Sequence, residues 1–374
     1  MSLKHLLETY HDPLRAARSG HDAGLPMIGC IGVGIPEEVI LAAGGLPVAI
    51  IPQAGAATPI ADAFMDPGEQ AELRSLLEQI AQPSPDFMAL AVLNAPYGGL
   101  AETIEDLRRA TLLPNAVAIH YFELQAEQSD ASRRYAADRI RALASRIGAV
   151  TGQQVTDDKL REAIAVTNLR RQALRRFNAA RRTTPLISGT EAFQAIGAAR
   201  FLPPAAFTHA LEGLLASLRP DKRLSEQSRI LLVPSDPLTH PHAHRAIEAA
   251  GALVIAEDDP LGARCAEVDI RCEGDPVQAI ADHYVEAIAG ARSFPAAHRL
   301  RWFHAQAVKP DIDAVIFYGQ NSRYGWDHPA MRQFLESHGK PSLFIHADAR
   351  NAAGFAQVES ATRAFIADLS DQAE

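Results

Sequence analysis

Glu38 is the carboxylate of this chain best placed for chemistry. It follows Pro36 and Glu37, just after the run Gly29-Cys30-Ile31-Gly32-Val33-Gly34, where a helix should begin beyond the end of a strand. A carboxylate at a strand mouth orients a substrate hydroxyl or transfers a proton when its surroundings raise its pKa. The simpler role of acids there is to complement the positive end of a helix dipole. That role is expected of Glu37; Glu38 is open to both readings and is the catalytic candidate.

His240, His242 and His244 follow Ser235-Asp236. On an extended segment such histidines point the same way, whereas at a helix start residues two apart diverge by about 200°. The histidine run itself supplies no carboxylate or fourth ligand, so a helix start is expected and no metal site. Ser235 and Asp236 beside these histidines have hydrolase residue types, yet the Gly-x-Ser-x-Gly elbow that presents a nucleophile is absent.

Two further groups have suggestive composition. The loop Tyr318 to Pro329 carries Gln320, Asn321, Arg323, Tyr324, Trp326 and Asp327, a density of polar and aromatic groups that suits a pocket lining beyond a strand end. Tyr97, Ser235, His240, Gln320, Asn321, Arg323 and Tyr324 are therefore the substrate-binding candidates. Arg170, Arg171, Arg175, Arg176, Arg181 and Arg182 lie on one long helical pattern. Guanidinium forks fit phosphate, but six on several faces read first as a solvated surface or a subunit interface.

Cys30, Cys265 and Cys272 are the three cysteines, with no C-x-x-C spacing. Neither a disulfide framework nor a zinc site is expected; buried small side chains are the simplest reading. A chain of 374 residues with 47% hydrophobic and 22% charged content supports two cored domains. Its net charge of −9 argues against nucleic acid, which requires a basic face. No apolar run is long enough for a membrane span, and Met1 to Gly20 is a polar, amphipathic start, so a cytoplasmic protein is expected.

These residues must be held by a parallel sheet covered with helices, because short apolar runs alternate with helical patterns. Strands are predicted at Met27 to Val33, Leu46 to Ile51, Phe87 to Asn94 and Ala116 to Tyr121, then at Arg229 to Ser235, Ala252 to Asp258, Ala314 to Tyr318 and Ser342 to Ala347. Between them the strand signal vanishes. Thr156 caps a long amphipathic helix whose buried stripe should be Leu160, Ala163, Val166, Leu169, Ala173 and Phe177. A last helix is expected from about Phe355 to Leu369. The fold class is thus α/β, with two doubly wound parallel-sheet lobes, residues 1–129 and 221–374, and a helical segment at 130–220 between them. Ligands of such sheets bind beyond the carboxyl ends of the strands, in the cleft between lobes.

The stretch Pro36 to Pro47 resembles the opening of the 2-hydroxyacyl-CoA dehydratase and benzoyl-CoA reductase subunits, in particular the D-component type of 2-hydroxyglutaryl-CoA dehydratase. The likeness continues through Thr151-Gly152, Val155 to Leu160, Asn168-Leu169-Arg170, Pro185 to Gly189, Ile230 to Pro237, Ile247 to Ala252, Gly262-Ala263-Arg264, Gly354 to Gln357 and Thr362 to Phe365.

The resemblance implies two flavodoxin-like lobes, paired subunits, an acyl-CoA substrate, an ATP-driven activator protein, and an iron–sulfur cluster held by cysteines of both lobes. It places those cysteines near Asp66 to Glu72, after Asn94 and after Tyr318, and this chain has none at any of them. Thiolate sulfur is what such iron requires. The expectation is a dehydratase-like subunit, a lyase component if catalytic, without its own cluster or other cofactor. It would pair with a related subunit or with itself, or bind an acyl-CoA thioester. The alternatives are an assembly module without catalysis and a non-redox enzyme built on the same fold.

Overall fold

Eight parallel strands form two separate sheets in the computed structural model, which describes residues 3–13, 15, 18, 24–53, 55–66, 68–81, 88–94, 97–113, 116–125, 127–286, 294–320 and 327–371. After helix α1 (Leu3–His11), the first lobe runs β1 (Met27–Ile31), α2 (Glu37–Ala42), β2 (Leu46–Ala49), α3 (Pro59–Phe64), α4 (Ala71–Ala81), β3 (Met88–Asn94), α5 (Gly98–Arg109) and β4 (Ile119–Phe122). Five helices follow: α6 (Asp130–Thr151), α7 (Asp157–Thr183), α8 (Gly189–Gly197), α9 (Pro204–Ser217) and α10 (Lys222–Ser225). The rest comprises β5 (Ser228–Pro234), α11 (His242–Ala249), β6 (Ala252–Glu257), α12 (Pro276–Glu286), α13 (Ala297–Ala307), β7 (Ala314–Gly319), α14 (His328–Ser337), β8 (Ser342–His346) and α15 (Ala352–Asp371).

The strand orders are β2-β1-β3-β4 and β6-β5-β7-β8, the same order twice. In each sheet the chain steps outward from its first strand and returns to that strand's other side, so β1/β3 and β5/β7 are topological switch points that open a crevice at their carboxyl ends. These are two flavodoxin-like α/β lobes.

Helices cover both sheet faces. On one side of the first sheet, Ile28, Leu90 and Val92 pack with Val39 and Ile40 of α2 and with Ile140 and Ile147 of α6. Ile280 of α12 belongs to the same core, so a helix from the far end of the sequence crosses back onto the first lobe. On the second sheet, Leu231, Val233, Leu253 and Val315 pack with Phe303 of α13 and Leu335 of α14. Two chain reversals depend on glycine. Gly44 (φ +72°) ends α2 and Gly152 (φ +70°) ends α6, both in the left-handed region that side chains disfavour.

Helix α7 spans the junction. Thr156 caps it by accepting from the Lys159 amide at 3.4 Å. Leu160, Ala163, Ala173 and Phe177 are buried as expected, but Leu169 is 56% exposed and Val166 is only half-buried. The buried stripe passes instead through Ile164, Thr167, Asn168, Arg171 and Leu174. The arginines are not a solvated surface either. Arg170, Arg171 and Arg181 are buried. Arg170 and Arg171 pair with Glu37 and Glu38 of the first lobe, and Arg181 and Arg182 with Glu257 and Asp311 further along the chain. The helix acts as a beam fastened at one end to one sheet and at the other end to the other sheet. Arg176, whose side chain is about half exposed, keeps the surface role.

Candidate functional site

A cavity of about 150 Å³ lies where the lobes meet. Gly32, Val33 and Gly34 at the end of β1 form one wall; Arg170, Arg171 and Leu174 of α7 form another. Arg200, Pro260, Leu261 and Cys265 close it, with His283 and Tyr284 of α12. This is the crevice that the doubly wound topology calls for.

Gly32 has φ +101°, and a Cβ there would overlap the Asn94 amide oxygen and approach the Tyr97 ring to 3.1 Å. The absence of a side chain at Gly32 thus lets the β1 and β3 ends close on one another.

At this wall sits a largely buried polar network. Glu38 accepts from Arg171 Nη2 at 2.7 Å, from Thr167 Oγ1 at 2.9 Å and from Tyr284 OH at 2.9 Å. Arg171 Nη1 donates to Thr167 Oγ1 at 2.9 Å and to Asn168 Oδ1 at 3.1 Å. Asn168 completes the set by exchanging hydrogen bonds with the backbone of Ile270 at 2.8 and 2.9 Å. Burial alone would raise the Glu38 carboxyl, but the charge and hydrogen bond of Arg171 outweigh it and hold the group down at about 2. The same carboxylate, after burial itself, pushes Tyr284 well above its ordinary value. Burial, reinforced by the charge of Arg171, lowers His283 to about 4, so its imidazole is neutral.

The two acids at the start of α2 therefore differ in placement. Glu37 lines the cavity, paired with Arg170. Glu38 is 0% exposed, and its surroundings lower the pKa where proton transfer would need it raised.

Other candidates gather on a second seam between the lobes. Ser235 lies against β7, its amide donating to Tyr318 O at 2.9 Å. His240 Nε2 meets Pro52 O of the first lobe at 2.8 Å. Gln320 Nε2 donates to Glu72 Oε1 at 3.4 Å, and Arg350 pairs with the same carboxylate. Tyr97 stands apart from these, beside Gly32 at the N-terminus of α5. Asn321, Arg323 and Tyr324 lie outside the described residues. The histidine run opens α11, as its spacing suggested. His240 and His242 are neighbours with ring centroids 5.6 Å apart, and His244 is buried against Glu257 at 3.3 Å.

Residues 32–369 match the family model described as 2-hydroxyglutaryl-CoA dehydratase, D-component. The chain belongs to this family. It is also similar to the Escherichia coli (strain K12) protein named "Putative dehydratase subunit YjiM", 24% identical over 367 residues that cover 92% of each chain.

The iron–sulfur cluster implied for this family needs several thiolates converging on one point. Where the resemblance calls for cysteines, the described residues offer Glu72 in the first turn of α4, Asn94 at the end of β3 and Gln320 just after β7 instead, and Glu72 is already engaged by Arg350 and Gln320. Cys30 and Cys265 share the cavity as neutral thiols, because burial pushes them up to about 12 and about 11. Cys272 is exposed, contrary to the expectation of a buried side chain, with its sulfur 3.8 Å from Asn168. Among the described residues no three His, Cys, Asp or Glu side chains are grouped to hold a metal ion. This donor set does not fit the cluster.

Sequence reasoning missed Thr167, read Arg171 first as surface or interface, and missed His283 and Tyr284. The first two were within reach, since they continue the three- and four-residue steps of Leu160, Ala163 and Ile164 along α7. The last two carry no local signal, being 245 and 246 residues from Glu38 in sequence.

Proposed function

We propose that this chain serves as a 2-hydroxyacyl-CoA dehydratase-type subunit that carries no cluster of its own, pairs with a related subunit and receives an acyl-CoA thioester at the junction between its lobes. The observation that carries the reading is the polar contact of Glu72 in α4 with Arg350 and Gln320, formed in the region where the family resemblance calls for thiolates. A carboxylate bound by a guanidinium and an amide joins two lobes but supplies no soft ligand for iron.

In this reading Tyr97, Ser235, His240 and Gln320 contact the thioester. Glu38 is a positioning residue. Its buried charge fixes Arg171, and through Arg171 and Tyr284 it shapes the cavity. The one-electron step of the family belongs to the partner subunit, while this chain binds and orients.

Calorimetric titration with coenzyme A and acyl-CoA thioesters, and co-purification with a cysteine-bearing subunit of the family, test the proposal. Saturable thioester binding and a stable complex are expected. The same Glu72–Arg350 contact also suits an assembly module, and a complex that forms without any thioester binding would select that reading.

A further inference from the structure

The residues around the cavity between the lobes have more hydrogen-bonding capacity than they use among themselves. Arg171, 3% exposed, directs its two Nη groups at Glu38, Thr167 and Asn168, while its buried Nε has no partner. His283, 8% exposed, has no partner at Nδ1. Arg200 donates from Nε to Gly197 O at 3.4 Å, and its buried Nη2 is unpaired. Buried polar groups are ordinarily satisfied, so three left over on residues that line one cavity mark a place for a ligand that can satisfy them.

The charges identify the kind of acceptor. Arg170 and Arg171 are balanced by Glu37 and Glu38. Among the described residues Arg200 has no carboxylate partner, and so leaves one positive charge in excess. A dianion such as phosphate would exceed that charge and face Glu37 across the cavity. Ile35, Val48, Leu174, Ile196 and Leu261 supply an apolar wall. The volume of about 150 Å³ equals that of roughly five waters, enough for a short chain.

We propose that this cavity binds a monoanionic carboxylate bearing a short apolar chain, held by Arg200, the unpaired N–H of Arg171 and the His283 imidazole. The inference goes beyond the function proposed above and does not need a thioester to bind. Because burial and Arg171 keep His283 neutral down to about pH 4, the site is set for its ligand throughout the physiological range.

Calorimetric titration of the full chain with sodium butyrate tests it. Wild-type protein should bind butyrate saturably, should ignore the neutral amide butyramide, and should bind inorganic phosphate far more weakly. Arg200→Gln should weaken butyrate by at least about tenfold, and Arg200→Lys should recover most of the loss. Ala199→Leu, which narrows the cavity while leaving the arginines in place, should weaken it as well.

Succinyl-CoA and butyryl-CoA distinguish the source of the carboxylate. Succinyl-CoA displaced by butyrate would point to a carboxylate carried on a thioester. Butyrate binding without either thioester would point to a free acid, and would retain this inference while removing thioester binding from the proposed function. No butyrate binding by the wild type, equal binding of butyramide, or an affinity unchanged in Arg200→Gln would overturn it.

Discussion

Arg171 and Glu38, 133 residues apart in sequence, form an ion pair 2.7 Å long in which the side chains are 3% and 0% exposed. A buried pair of this kind is dangerous to break from one side, because the surviving charge keeps its desolvation cost without its partner. Glu38→Gln should therefore destabilise the protein by about 3–5 kcal/mol, read from denaturant unfolding. Glu38→Leu combined with Arg171→Met should recover much of that loss. A double variant no more stable than Glu38→Gln would mean that the pair contributes through something other than its charges.

Acid should weaken the fold in a defined window. Glu38 and Glu257 are both held at about 2 against an ordinary 4.5, each by a buried arginine whose charge outweighs burial. A depressed carboxyl stabilises the native state above its unfolded pKa and loses that contribution as pH falls through the folded one. Urea midpoints measured across pH 5 to 2 should fall steeply below about pH 4.5. Glu38→Gln should flatten part of that slope, and a parallel curve for the variant would contradict the assignment.

Thiol reactivity should separate the cysteines. Cys272 is exposed, whereas burial raises Cys30 to about 12 and Cys265 to about 11. The thiolate is the reactive form. At neutral pH an aromatic disulfide reagent should titrate Cys272 rapidly and the other two only on unfolding. Fast reaction of all three would mean that the cavity opens to solvent far more than this packing allows.

Gly32→Ala should be poorly tolerated. The residue has φ +101°, and a Cβ would collide with Asn94 and press on Tyr97. Backbone strain at such a position costs about 1–3 kcal/mol before the collision is counted. A drop in melting temperature well beyond that of Gly55→Ala, which shares a positive φ in open space, is the expected result of thermal unfolding.

The sheets were legible because parallel strands buried on both faces appear as unbroken apolar runs; every residue of Ala252–Glu257 is buried. Along α7 the same apolar criterion misled. It selected Val166 and Leu169, while the periodic positions facing the core are occupied by Thr167 and Arg171. Those polar residues can be buried because Glu38 and Tyr284 arrive from distant parts of the chain to satisfy them. Such a partnership has no period and no local motif. It also explains why the arginines looked like a surface: their counter-charges belong to α2, β6 and the approach to β7. A cavity at the lobe junction was to be expected from topology alone, but which of Glu37 and Glu38 faces it was not.

The proposed function rests on the chain carrying no iron–sulfur cluster of its own. Anaerobic purification of the chain by itself, followed by iron and sulfide analysis and a visible absorption spectrum, tests it most directly. The account predicts iron and sulfide far below stoichiometric amounts and no charge-transfer absorbance, before and after attempted reconstitution. Iron and inorganic sulfide in near-integral multiples of the protein, with an iron–sulfur chromophore that is present in the natural chain and lost when Cys30, Cys265 and Cys272 are replaced by serine, would contradict it.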